Sequence, residues 1–170
     1  MSDRIAAAVN AAIEHLQSDP QSGACTDSAA RAALTEGLRT EVKGPNGQHI
    51  VSDMPPGVGG LSSAPSPGWY FRAAVASCTA TIIAIRAAAV GIALSRLEVE
   101  VVSQSDDRGM LGVDDTVPPG PINFRMDIVI AASGADPIAL RDLAEWGVVH
   151  SPVADAFRRA VPMDVAIVVN

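Results

Sequence analysis

The residues with the most specific chemistry in this sequence are its two cysteines, Cys25 and Cys78. A thiolate attacks electrophiles, peroxides among them, and binds soft metals. Cys78 stands in the middle of "PSPGWYFRAAVASCTATIIAIRAAAVGI", residues 65–92, a run with almost no charge. Two readings of it stand side by side. It is a small apolar side chain filling a core, or it is a reactive thiol. A helix dipole acts mainly within the first turn, so activation here needs a positive or hydrogen-bonding partner from elsewhere. Cys25 sits in the polar "SGACTDS", a setting too different to suggest a disulfide framework. The histidines, His15, His49 and His150, are scattered, and no CxxC pair occurs. Neither a metal site nor a cofactor is therefore expected.

Ser151, in "HSPVAD", combines a cap residue with a proline at the first helical position. It reads first as a helix cap, and also as a residue that could line a pocket. The four aspartates of "SDDRGMLGVDD" lack the spacing and closing glutamate of a calcium loop, so a solvated turn is expected. "GVGG" lacks the strand-to-helix setting of a nucleotide fingerprint. Trp69, Tyr70 and Phe71 could wall an apolar pocket or simply pack.

The 170 residues suit one compact domain, and 48% of them are apolar. Aromatics are only 4%, so the core is built from small side chains. A net charge of -7 with no basic stripe argues against nucleic acid as a partner. The segment "MSDRIAAAVNAAIEHLQ" places Ile5, Val9, Ala12, Ile13 and Leu16 at helical spacing. It reads as an amphipathic surface helix, not as a signal peptide. Residues 73–94 are long enough to cross a bilayer. Arg86 interrupts that run and Ala, Ser, Thr and Gly dilute it, so a buried helix is expected and no membrane partner. With the cysteines unpaired, the expected setting is reducing and cytoplasmic.

These residues must be positioned by the elements around them. A helix over 2–18 and a loop form an N-terminal part, residues 1–30. A single domain follows over 31–170. Leu34, Glu36, Leu38, Thr40 and Val42 share one parity and predict a strand. "GPNG" predicts a turn, and "QHIVSDM" a second strand completing a hairpin. The Gly/Pro-rich "PPGVGGLSSAPSP" is a loop leading into the long helix, with Ser66 as cap, Pro67 first, and Gly91 at the end. Strands follow at "SRLEVEVVSQSDD" and "INFRMDIVIAA". Two proline-started helices come next, capped by Asp136 and Ser151, and then a final strand at "PMDVAIVV". The pattern is α+β.

Three stretches, "GGLSSAPSPGWYFRAAVASCTATII", "GIALSRLEVEVVSQSDDRGMLG" and "SPVADAFRRAVPMDVAIVV", resemble the OsmC/Ohr family of hydroperoxide-resistance proteins as a divergent member, from about Arg31 onward. The resemblance implies antiparallel sheets around a long central buried helix in an intertwined homodimer, with active sites at the interface. It implies that Cys78 is the peroxidatic thiol, acting on a small organic peroxide. Ser151 falls where active members have a resolving cysteine, and Gly68 where they have a glutamate that steadies an activating arginine. For that arginine the first hairpin offers Arg31, Arg39 and Lys43. With no cysteine at 151, resolution falls to an external thiol reductant or to Cys25, which lies outside the resemblance. The alternative is a non-catalytic homodimer that keeps the fold and binds a small apolar ligand in an interface pocket.

Overall fold

The computed structural model describes residues 2–169. Contacts within the chain gather into two units, Met1–Ala7 with Ala74–Asn170, and Ala8–Ala73.

In the second of these, helix α1 (Ser2–Ser18) continues from the first unit and leads through a short 3-10 turn to a three-stranded antiparallel sheet. Its strands are β1 (Arg31–Glu36), β2 (Arg39–Lys43) and β3 (His49–Ser52), in that order. The sequence predicts one strand through residues 34–42, and the structure corrects this to two. Gly37 adopts φ +54°, a left-handed conformation that glycine takes without strain, and the chain reverses there. Leu34 consequently pairs with Thr40 instead of lying in line with it. The "GPNG" turn joins β2 to β3 as expected, with Val42 opposite Ile50.

Helix α2 (Pro67–Ala89) starts and stops where its sequence directs. The Ser66 hydroxyl accepts from the Trp69 amide at 3.3 Å. At the other end Gly91, at φ +75°, closes a Schellman motif: Ile92 donates to Ala87 O at 2.8 Å and Gly91 to Ala88 O at 3.1 Å. The helix is apolar around its circumference, yet within the chain it buries one stripe, Val75, Thr79, Ile83 and Ala87, four residues apart. Ala74, Ser77 and Thr81 stay exposed. By length and composition α2 could span a membrane.

The other unit pairs β4 (Leu94–Gln104) with β5 (Asn123–Ala132) in a long antiparallel ribbon. One face is apolar: Leu97, Val99, Ile128 and Ile130 pack with Ile92 and Leu94 against Ile83, Ala87 and Leu143. Glu98 and Glu100 face outward, as the alternation dictates. The loop joining these strands holds a single helical turn, α3 (Asp107–Met110). Its aspartates serve local structure: Asp106 accepts from Arg108 and Asp114 from Thr116. Helices α4 (Pro137–His150) and α5 (Pro152–Arg158) follow. Asp136 caps α4 through the Ile138 amide at 3.1 Å.

The expected final strand does not form within the chain. Residues 161–169 pair with neither sheet, and Met163, Ile167 and Val168 are each 82% exposed. The strand-forming composition is there, but a strand needs an edge to complete its hydrogen bonds, and none receives it here.

Gly147 lets α4 approach α2 closely, because a methyl group there would collide with Ile83. Replacing a helical glycine by alanine ordinarily gains up to about 1 kcal/mol. Overpacking a filled core costs about 1–3 kcal/mol. Gly147→Ala is therefore expected to lower the urea midpoint, and its loss should be less than additive with that of Ile83→Ala, which removes the colliding Cγ1.

Candidate functional site

Cys78 lies on the third turn of α2, half-buried, and its thiol is free. It stands one residue before Thr79, which is fully buried. The Thr79 hydroxyl donates to Ser151 Oγ at 3.1 Å. Ser151 is also fully buried, at the corner between α4 and α5. The serine therefore has the backbone position of a helix cap without acting as one, for its hydroxyl makes no cap hydrogen bond to α5. The threonine claims it instead. This corrects the expectation of a capping side chain at 151.

The corner is clamped from below by Arg158. Its guanidinium donates to the carbonyls of Val148, Val149 and Ala154, at 3.2, 3.2 and 3.3 Å. The Val148 and Val149 carbonyls lie in the C-terminal turn of α4, where a cation complements the helix dipole. Arg158 and Thr79 together fix Ser151 relative to the turn of α2 that carries Cys78. A small apolar cavity of about 220 Å³ opens beside it, lined by Val75, Val101, Met126 and the Phe124–Phe157 pair among others.

Neither Thr79 nor Arg158 is evident as a functional residue from the sequence. The only signal for Thr79 is a polar residue one step from the cysteine in an apolar run. Its contribution can be measured. Thr79→Val keeps the shape but leaves the Ser151 hydroxyl buried without its partner, which costs about 1–3 kcal/mol. Thr79→Val with Ser151→Ala should be less destabilised than the sum of the two single variants. Chemical denaturation of the four proteins gives the coupling directly.

In the unit of residues 8–73 a second cluster holds the glycine-rich loop. Asp53 is buried at the end of β3. It accepts from the Met54, Leu61 and Ser63 amides and from the Ser63 hydroxyl, at 2.8–3.2 Å. These bonds, the Ser63 amide first, hold its carboxyl below the usual carboxylate range. The loop is thus held most firmly above that range and loosens as pH falls through the depressed value. Arg39 donates to Ser63 Oγ at 2.7 Å. Lys43 is committed to Glu41 at 2.9 Å. Of the cations offered by the first sheet, Arg39 is the one drawn to this loop. Sequence reading missed Asp53, whose signal is an acidic residue closing a strand just before Pro-Pro-Gly.

Two other sequence candidates receive plain roles. Tyr70 donates its hydroxyl to Val51 O at 2.8 Å. Trp69 is 49% exposed and lies edge-on to it. Cys25 is exposed. Among the described residues no cluster of three or more metal-ligating side chains occurs.

Antiparallel sheets and a long, proline-started helix that carries a half-buried cysteine define an α+β fold of a particular kind. The chain belongs to the OsmC-like protein family, whose sequence profile matches residues 59–166. Solved structures share the fold. An OsmC-like protein from Mycoplasma pneumoniae is 13% identical with a TM-score of 0.66, over 79% of this chain and 89% of that one. An organic hydroperoxide resistance protein OsmC from Legionella pneumophila is 20% identical with a TM-score of 0.56, over 79% and 91%. The organic hydroperoxide resistance protein OhrB of Bacillus subtilis is 16% identical with a TM-score of 0.52, over 79% and 93%. At such identities the likeness is one of fold. No curated protein matches the chain by sequence.

Proposed function

We propose that the protein reduces organic hydroperoxides through Cys78, with an external thiol completing the cycle. The observation that carries this reading is the placement of Cys78. It is half-buried on α2, within the stretch that matches the family, and the neighbouring corner offers a hydroxyl that Thr79 already occupies.

The chemistry then runs in three steps. The Cys78 thiolate attacks the distal peroxide oxygen. The O–O bond breaks, sulfur gives up two electrons, and the alkoxide takes a proton to leave as an alcohol. Cys78 is now a sulfenic acid. Ser151 has no sulfur with which to condense, so a small thiol attacks the sulfenic acid, releasing water and forming a mixed disulfide. A second thiol attacks that disulfide, restores Cys78 and departs as the oxidised reductant. A reducing, cytoplasmic setting supplies such thiols, and neither metal nor cofactor enters any step.

A homodimer belongs to this reading. The chain leaves Ala74, Ser77 and Thr81 of α2 exposed, and small side chains allow a second helix to approach closely. It also leaves residues 161–169, apolar and rich in strand formers, without a partner. A second copy would cover both. Light scattering is expected to give a dimer, and a monomer with α2 still helical would contradict it.

A second reading is a non-catalytic dimer that binds a small apolar ligand. A groove of about 850 Å³ between β5 and α4, lined by Ile128, Ile130, Leu140, Ala144 and Val148 among others, favours it. Peroxide consumption by the purified protein with dithiothreitol separates the two. The first reading requires turnover that disappears with the Cys78 thiol, the second requires none.

A further inference from the structure

Beyond the thiol chemistry, a second cleft opens where the end of α2 meets α4, with a volume of about 380 Å³. Val90 and Ile92 form one side, together with Arg86. The other side is a single stripe of α4: Ala139, Asp142, Leu143 and Trp146. The volume falls in the lower part of the range for small-molecule clefts, and the walls combine apolar surface with few polar groups, as such sites do.

The charged groups that line the cleft are Arg86 and Asp142. The Arg86 guanidinium lies 4.9 Å from the centre of the Trp146 ring. Among the described residues no carboxylate stands within ion-pair distance of it. Arg86 is half-buried, and its charge is met by the ring face and by solvent. A cation over an aromatic face keeps the N–H groups at the edge of its plane available, and their fork matches a carboxylate. The Trp146 ring is itself held in place. His150 stacks on it at 3.9 Å and 12°, and His150 Nδ1 lies 2.8 Å from Trp146 O. Among the described residues Asp142 is the one acid lining the cleft, and its charge disfavours a ligand with more than one negative charge.

We propose that this cleft binds a small apolar monocarboxylic acid. Its carboxylate is gripped by Arg86 and its hydrocarbon body lies on Val90, Ile92, Leu143 and the edge of Trp146. The site is separate from Cys78 chemistry and stands whether or not the protein turns over peroxide.

The test uses the full chain labelled with ¹⁵N. The two tryptophan indole signals are told apart with Trp146→Phe. Hexanoate is titrated, then hexan-1-ol, which has a body of the same length without the charge. The Trp146 indole signal is expected to move saturably with hexanoate while that of Trp69 stays. Hexan-1-ol should bind about tenfold or more weakly, the usual size of a charge-assisted hydrogen bond. Arg86→Gln should bring hexanoate down to the level of the alcohol and leave the alcohol unchanged. Equal affinities of the unaltered protein for acid and alcohol, or no movement of the Trp146 signal with hexanoate, would overturn the proposal without recourse to any variant.

Discussion

Cys78→Ser is expected to reduce organic hydroperoxide consumption to the uncatalysed background, a loss of about three orders of magnitude or more, as when a nucleophile is removed outright. A serine hydroxyl is scarcely ionised near neutral pH and far less nucleophilic than a thiolate, so the isosteric change removes the reacting group while keeping the packing. Cys78 is half-buried and within the matched stretch of the family. Cys25 is exposed and precedes that stretch. Cys25→Ser should therefore retain most of the rate. The assay is the consumption of cumene hydroperoxide in the presence of dithiothreitol. Equal loss in both variants would point to a pathway that needs both sulfurs, and full activity in Cys78→Ser would remove the thiol from the mechanism.

The largest expected effect on stability is at Ile83. Its side chain has no exposed surface, and it packs between Leu143 of α4 and the apolar face of the β4–β5 ribbon. Ile83→Ala should destabilise the protein by about 2–5 kcal/mol through lost burial and the cavity left behind. The upper half of that range is expected, because the site has little freedom to collapse. Gly147 already brings the α4 backbone against Ile83, and two long helices do not move in to fill a void. Ile83→Val should cost only about 0.5–1.5 kcal/mol. Urea unfolding of the three proteins, with an unchanged slope, checks both values. An Ile83→Ala loss below that of Ile83→Val would mean that α2 does not anchor this core.

The elements that position the candidate site follow from local chemistry, and for that reason they could be read from the sequence. Ser66-Pro67 at one end of α2 and Gly91 at the other are complete start and stop signals, and Asp136-Pro137 is another. The alternation through Leu97, Val99 and Val101 fixes which face of β4 turns to the core. What was hidden depends on contacts distant in sequence. The parity of Leu34 to Val42 fits one strand as well as two, and only the reversal at Gly37 distinguishes them. Ser151 has every local mark of a cap, but its hydroxyl is claimed by Thr79, seventy-two positions away. The "PMDVAIVV" segment has the composition of a strand, but composition supplies no edge to pair with. Arg86 reads in the sequence as an interruption of an apolar helix, and only the fold sets it over Trp146 of α4. Cys78 itself was ambiguous in the same way. Its apolar neighbours favour a filler, and only the proposed chemistry makes it a reacting group.

The central claim is that the Cys78 sulfur is the atom a peroxide oxidises. The most direct measurement is trapping with dimedone after one equivalent of cumene hydroperoxide, followed by mass spectrometry of the peptides that carry Cys25 and Cys78. The account predicts a dimedone adduct on Cys78, absent without peroxide and prevented by prior addition of excess dithiothreitol. An adduct confined to Cys25, or none on Cys78 while the thiol remains alkylatable, would contradict it.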